Sequence, residues 1–385
     1  MIERDIKEKL ILMGSKFPIV TLTGPRQSGK STLLKSVLSD YSYVSMEDPD
    51  NRLFATDDPR GFIRTYPDKT IIDEVQRVPE LFSYLQTHVD DVNREGMYYL
   101  AGSQNFLLMQ SISQSLAGRT AILKLLPLSL KELKQAQILP LSTEEEIFFG
   151  GYPRIYDKHI HPTDFFPSYI QTYIEKDVRL LKNIEDLSMF IRFIKLCAGR
   201  IGQLVNLSSL ANETGVAVST VQSWLSVLEA SYVIYLLKPD HHNYAKRLIK
   251  SPKLYFYDTG LASSLLEIDD ATQISTHFLR GGLFENMVIN EFIKGFLHNG
   301  KEPQLTFWRD STGNEVDLLI SEKGRQKAYE IKSGATYSSD DFKGIRVWAK
   351  LSGAKAEDCH VIYNGDRHFS TSFGEVISLH TEGIV

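Results

Sequence analysis

The sequence predicts a multidomain α/β protein built around a phosphate-binding loop. Three observations carry that prediction. An apolar run with strand character (Ile19, Val20, Leu22) leads into Gly24-x4-Gly29-Lys30-Ser31, and a helical run, Thr32 to Leu38, follows at once. A second apolar run, Thr70-Ile71-Ile72, ends in Asp73-Glu74. Further along, two helical patterns precede two strand patterns, and then a helix precedes a hairpin bearing Asp317, Glu330 and Lys332.

Strand, glycine-rich turn and helix start form the context a P-loop needs. Glycines let the backbone curl so that several N–H groups meet one anion, and the helix dipole adds positive potential. The loop Gly24, Pro25, Arg26, Gln27, Ser28, Gly29, Lys30, Ser31 and Thr32 is therefore the expected nucleoside triphosphate cradle. Lys30 is expected to neutralise phosphate oxygens and the Ser31 hydroxyl to ligate Mg²⁺. Parallel sheets put their chemistry at the carboxyl ends of strands. That aims Asp73 at the Mg²⁺ shell and Glu74 at the attacking water.

Other strands supply weaker candidates. Tyr43–Met46 ends at Glu47-Asp48-Pro49, carboxylates that either face the nucleotide or sit solvated in a turn. Tyr98–Ser103 puts Ser103 at the same sheet edge, to sense the γ-phosphate, to hold the lytic water or only to cap. A helix is expected over 104–118. Arg119 then opens a strand over 120–126, either to reach a γ-phosphate in its own or a neighbouring subunit or to pair locally at the surface.

These stretches together resemble a bacterial and archaeal family of AAA-type ATPases with a C-terminal domain of unknown function, DUF4143. Gly24-Pro-Arg-Gln-Ser-Gly-Lys-Ser, Ile72-Asp73-Glu74-Val-Gln76, Leu100-Ala-Gly-Ser103 and Leu116-Ala-Gly-Arg119 carry the resemblance. It implies the additional-strand P-loop ATPase fold, ATP and Mg²⁺ as ligands, and Walker roles for Lys30, Ser31, Asp73 and Glu74. Ser103 matches its sensor position, and Arg119 follows its arginine placement less closely.

Composition limits the rest. The chain has 385 residues, a net charge of -5 and two isolated cysteines, Cys197 and Cys359. The cysteines suit a reducing cytoplasm without disulfide or zinc staples. The first residues lack a signal peptide's apolar centre, and no apolar run approaches bilayer-spanning length, so a soluble cytoplasmic protein without membrane contact is expected. A nucleic-acid role would need a local basic patch.

The expected division is 1–135 for the ATPase domain, 136–202 for a helical connector, 203–258 for a winged helix and 259–385 for the last domain. The connector is broken by Gly150-Gly151-Tyr152-Pro153, a hinge or tight turn. In the winged helix, Leu207–Thr214 stops at Gly215, a second helix is expected over Thr220–Ala230 with a Ser219/Gln222 capping box, and strands are expected over Tyr232–Leu237 and Leu254–Tyr257. Thr220, Gln222 and Ser223 are then candidates for DNA bases. Lys246, Arg247, Lys250 and Lys253 are candidates for phosphates, within a stretch from Lys238 to Lys253 that holds five Lys/Arg against one acid. A structural or protein-binding winged helix stays open, and His241-His242 without a third ligand reads as solvated.

The final domain looks like the PD-(D/E)XK restriction-endonuclease core. That resemblance implies a metal site of Glu285, Asp317 and Glu330, with Lys332 positioning water. Glu-x-Lys alone carries little, since Glu132-Leu-Lys134 is another, and no glutamine follows Lys332 at helical spacing. Three readings stand: an ATPase whose nucleotide state controls DNA engagement, a slow switch for a protein partner, and an ATP-controlled nuclease. Oligomeric state is left open.

Overall fold

The structure is a computed structural model that describes residues 2–103, 112, 115–178, 184, 186–240, 250–322 and 324–380, with backbone alone for 175–178. Its first body is a five-stranded, wholly parallel sheet: β1 (Ile19–Thr23), β2 (Ser42–Ser45), β3 (Thr70–Asp73), β4 (Tyr98–Gly102) and β5 (Thr120–Lys124) in the order β2-β3-β4-β1-β5. β4 thus lies between the P-loop strand β1 and the Asp73 strand β3. Parallel sheets bury both faces, and the sequence alternates accordingly. Ile19, Ile72 and Leu100 enter one core with Phe62 and Leu85, while Val20, Leu22, Ile71 and Tyr99 enter another with Leu33 and Leu34. Helices α1 (Lys7–Gly14), α2 (Lys30–Val37), α3 (Pro49–Asp57), α4 (Pro59–Thr65) and α5 (Leu81–Val92) flank the sheet. The helix expected over 104–118 falls largely outside the described residues.

The middle of the chain is helical: α6 (Leu130–Gln135), α7 (Thr143–Phe149), α8 (Pro153–Lys158), α9 (Pro162–Tyr169), a π-helical continuation Ile170–Val178, and α10 (Leu187–Ala198). Then α11 (Leu207–Thr214) and α12 (Val218–Ala230) precede a two-stranded antiparallel pair, β6 (Ile234–Leu237) and β7 (Lys253–Phe256). Two expectations need correction. The helix α12 starts earlier, with Ala217 as N-cap and no side-chain cap, so Ser219 lies inside the first turn and forms no capping box with Gln222. Tyr232 has φ 56, which strand backbone cannot adopt, so β6 begins only at Ile234.

The last body is a six-stranded mixed sheet in the order β12-β13-β11-β10-β9-β8. Here α13 (Thr259–Leu265) and the long α14 (Arg280–His298) precede β8 (Leu305–Arg309), β9 (Glu315–Glu322) and β10 (Arg325–Lys332). After them come α15 (Lys343–Ser352), β11 (Cys359–Tyr363), β12 (Phe369–Thr371) and β13 (Gly374–Ser378). Trp308, Val316 and Val361 on one face pack with Trp348 of α15. The opposite face shares a continuous apolar core with α14 and the whole helical middle, from Leu126 to Leu379. No helix among the described residues is long and apolar enough to cross a membrane.

Candidate nucleotide site and the carboxylate cluster

The loop after β1 is a chain of conformations that side chains resist. Gly24 has φ 150, and a Cβ there would sit 2.1 Å from the Leu125 carbonyl oxygen. Gln27 has φ 61, and Gly29, with φ 94, is the residue from which α2 starts. Arg4 holds the loop from below. It donates to the Ser28 carbonyl (2.7 Å), the Leu126 carbonyl (2.7 Å) and the buried Glu132 carboxylate (3.0 Å). The Lys30 ammonium donates to the Gly24 and Pro25 carbonyls at 3.0 and 2.8 Å, and burial pulls its pKa down to about 8.

Ser31 and Asp73 meet where the sequence aims them: the Ser31 hydroxyl donates to Asp73 Oδ2 at 2.6 Å. Tyr43, which sequence reasoning passed over, donates to the same oxygen at 2.7 Å. Its position on β2, beside β3, is the signal that could have found it. Glu74 takes a left-handed backbone, φ 51, immediately after β3. Its Oε2 accepts from Gln76 Nε2 at 2.6 Å and from Ser103 Oγ at 3.1 Å. Glu47 pairs with Arg26 of the loop at 3.3 Å, whereas Asp48 caps α3 through the N–H groups of Asp50 and Asn51.

A cavity of about 730 Å³ opens on this loop, lined by Lys30, Ser31, Glu74 and Leu33 on one side. The other wall comes from the helical middle: Pro153, Arg154 and Lys158 of α8. Pro153 Cγ lies 3.8 Å from where a Gly29 side chain would begin. The turn before α8 is clamped, since Gly151 N donates to Asp258 Oδ2 at 2.8 Å and Leu128 N to the Gly151 carbonyl at 2.7 Å. Of the hinge or tight turn expected at Gly150-Gly151, the structure forms the tight turn, pinned by these bonds.

Of the two readings of Arg119, the structure shows local pairing at the surface. Arg119 stands just before β5, whose Thr120 pairs with Ile19 at the amino edge of the sheet, roughly 16 Å of strand from the P-loop edge. There it makes a bidentate pair with Asp90 at 2.6 and 2.8 Å. It does not reach the phosphates of its own subunit.

The candidate DNA residues divide. On α12, Gln222 is exposed and Thr220 and Ser223 are partly so, while Val221, Trp224 and Leu225 are buried. Lys250 is exposed. Lys246 and Arg247, like His241 and His242, lie outside the described residues. Lys253 corrects the expectation outright, because its side chain is only 3% exposed. It turns inward, 3.0 Å from Glu285 Oε1 and 3.4 Å from Asp317 Oδ1, and also pairs with Glu315.

This placement also revises the expected C-terminal metal site. Glu285 accepts from Lys253 and, at 2.5 Å, from the Tyr255 hydroxyl. Asp317 spends its second oxygen on the Ile331 N–H at 2.9 Å. Glu330 pairs with Lys332 at 2.6 Å. Among the described residues no group of three His, Cys, Asp or Glu is arranged to hold a metal ion. Burial, then the nearby Asp317 charge, pushes Glu285 up to about 7 and Glu330 up to about 8.

Comparison with known proteins fits this geometry. Residues 16–134 match an AAA domain, residues 141–272 a domain of unknown function (DUF8612), and residues 280–381 a domain of unknown function (DUF4143). The chain thus carries an AAA-type P-loop ATPase domain followed by a DUF4143 domain. An uncharacterised protein of Mycobacterium tuberculosis is 29% identical over 375 residues, covering 96% of this chain and 81% of that one. An uncharacterised protein of Haemophilus influenzae is 23% identical over 275 residues, 63% of this chain and 68% of that one. Among solved structures, a Walker-type ATPase of Pyrococcus abyssi aligns with a TM-score of 0.47 at 13% identity, covering 69% of this chain and 96% of that one. Thermotoga maritima RuvB aligns with a TM-score of 0.32 at 20% identity, covering 60% and 88%.

Proposed function

We propose that this chain is a cytoplasmic, Mg²⁺-dependent ATPase whose nucleotide state is passed to its middle and C-terminal parts. One observation carries the reading: Ser31, bonded to Asp73, lines the P-loop cavity together with Lys30 and Glu74. The donor set suits the ligands. The loop's N–H groups and Lys30 would hold the phosphates, and Ser31 with Asp73 would hold Mg²⁺, which supplies charge neutralisation of phosphate oxygens when bound. Glu74 would orient the attacking water and take its proton, with Gln76 and Ser103 fixing its carboxylate. Arg119 enters this scheme only as a group offered to a neighbouring subunit.

The second wall of the cavity supports coupling. Nucleotide would touch α8, and α8 is tied through Gly151 to Asp258, the cap of α13. Two packed helices followed by an antiparallel pair suit a winged helix. The order α14-β8-β9-β10-α15-β11 suits a restriction-endonuclease-like core. With Gln222 outward on α12, the middle part would engage DNA through Thr220, Gln222, Ser223 and Lys250. A protein partner on the same face is the competing reading. The inward turn of Lys253 speaks against metal-dependent cutting.

The test measures phosphate release from Mg²⁺-ATP with and without duplex DNA. Turnover that rises with DNA, in a salt-dependent way, is expected. Turnover indifferent to DNA, with no binding at low salt, would assign the middle part to a protein partner. Absence of ATP turnover under all conditions would remove the enzymatic reading.

A further inference from the structure

Three carboxylates of the C-terminal domain converge on one ammonium, and that ammonium comes from another part of the chain. Glu285 lies on α14, Glu315 and Asp317 on β9, and the ammonium between them belongs to the first residue of β7. Backbone contacts fix that residue in place. Gly202 N donates to the Leu254 carbonyl at 2.8 Å, Leu254 N to the Gln203 carbonyl at 3.0 Å, and Val205 N to the Pro252 carbonyl at 2.8 Å. The side chain approaches past Phe307, whose ring centroid is 5.6 Å from Nζ. Gly202 leaves room for this arrangement, because a Cβ there would stand 3.3 Å from Glu285 Oε2.

An ion held this way is costly to lose from one side only. Three clustered carboxylates, Asp317 buried and Glu285 and Glu315 partly so, repel each other without a cation, whereas the lysine among them is paired three times over. A surface lysine in a basic stretch has no reason to abandon water; one delivered by a strand start into an acid cluster has a structural task.

We propose that Lys253 is a tethered cation that closes the C-terminal domain's carboxylate cluster from within, an autoinhibitory latch joining the β6–β7 pair to that domain and excluding external cations. The latch is independent of whether the P-loop hydrolyses ATP. While β7 is docked, its ammonium occupies the space between the three carboxylates. Withdrawal of β7 would take the ammonium from Glu285 and Asp317 and leave Glu315 with Arg309 of β8, 3.0 Å away.

The experiment uses the full chain without nucleotide and Mn²⁺ as probe. Lys253→Gln should melt several degrees below the wild type, millimolar Mn²⁺ should recover part of that loss, and Asp317→Asn added to it should abolish the recovery. The wild type should show no Mn²⁺-dependent shift. Failure of Mn²⁺ to stabilise Lys253→Gln would overturn the latch, since the cluster would then not be a cation site. Equilibrium dialysis of Mn²⁺ against the wild type and Asp317→Asn serves if Lys253→Gln does not fold. Equal stoichiometry supports the proposal, and one fewer Mn²⁺ bound in Asp317→Asn refutes it.

Discussion

Lys30 shows what the P-loop costs when it stands alone. Burial holds its pKa near 8, so the folded chain binds that proton more weakly than the unfolded chain does. Stability must then rise as pH climbs from about 8 towards the ordinary value of 10.5, where the unfolded chain also releases the proton. At pH 7, Lys30→Met should leave the unliganded melting temperature unchanged or higher while erasing the increase produced by ATP. A lower unliganded melting temperature would contradict the account. Glu146 behaves in the opposite sense. It is buried with Oε2 unpartnered, and burial, with Glu291 next, pushes its pKa up to about 8. The folded chain holds that proton more tightly, so this contribution is present below the usual 4.5 and is lost as pH rises through about 8. Glu146→Gln should therefore raise the melting temperature relative to the wild type at pH 9 but not at pH 5. A pH-independent difference would contradict the assignment.

Legibility at this scale followed contiguity. Lys30 and Ser31 stood out because strand, turn and helix encode the loop within a few residues, and Asp73 and Glu74 because a parallel strand's carboxyl end is aimed at that loop. Lys253 was misread because its partners lie more than thirty residues later, so its sequence neighbours offered only a basic run. The two readings of Arg119 stayed open because a motif does not reveal which edge of the sheet it occupies; in a parallel sheet, a residue opening a strand faces away from the chemistry.

Among elements, the turn into α8 is the piece on which the cavity wall depends. Gly150 has φ 62 and ψ -157, a region close to glycine-only, and a Cβ there would meet Asp258 Oδ1 at 2.3 Å. Gly150→Ala should destabilise the chain by at least about 2 kcal/mol, from backbone strain and the clash together. It should also weaken nucleotide binding, because α8 forms the second wall; chemical denaturation and nucleotide titration of the same variant check both. Wild-type stability in Gly150→Ala would deny that the turn is pinned. The sequence announced this turn through Gly-Gly and Pro, but its partner Asp258 is a hundred residues away and could be found only in three dimensions. The shifted starts of α12 and β6 have local causes, a helix that begins without a side-chain cap and a left-handed Tyr232.

For the molecule as a whole, the proposed function puts ATP hydrolysis in the cavity between the parallel sheet and α8, with Glu74 activating the water. The parallel-sheet core was legible because its strands are short apolar runs with chemistry at their ends. The continuous core from Leu126 to Leu379 was not, since apolar periodicity marks a buried face without naming what covers it. The most direct measurement compares wild type with Glu74→Gln in paired assays of ATP binding and phosphate release in Mg²⁺. Near-normal binding with turnover reduced by about 10²-fold or more is expected, because the cradle is intact and only proton transfer and water orientation are lost. Turnover equal to the wild type would contradict the account.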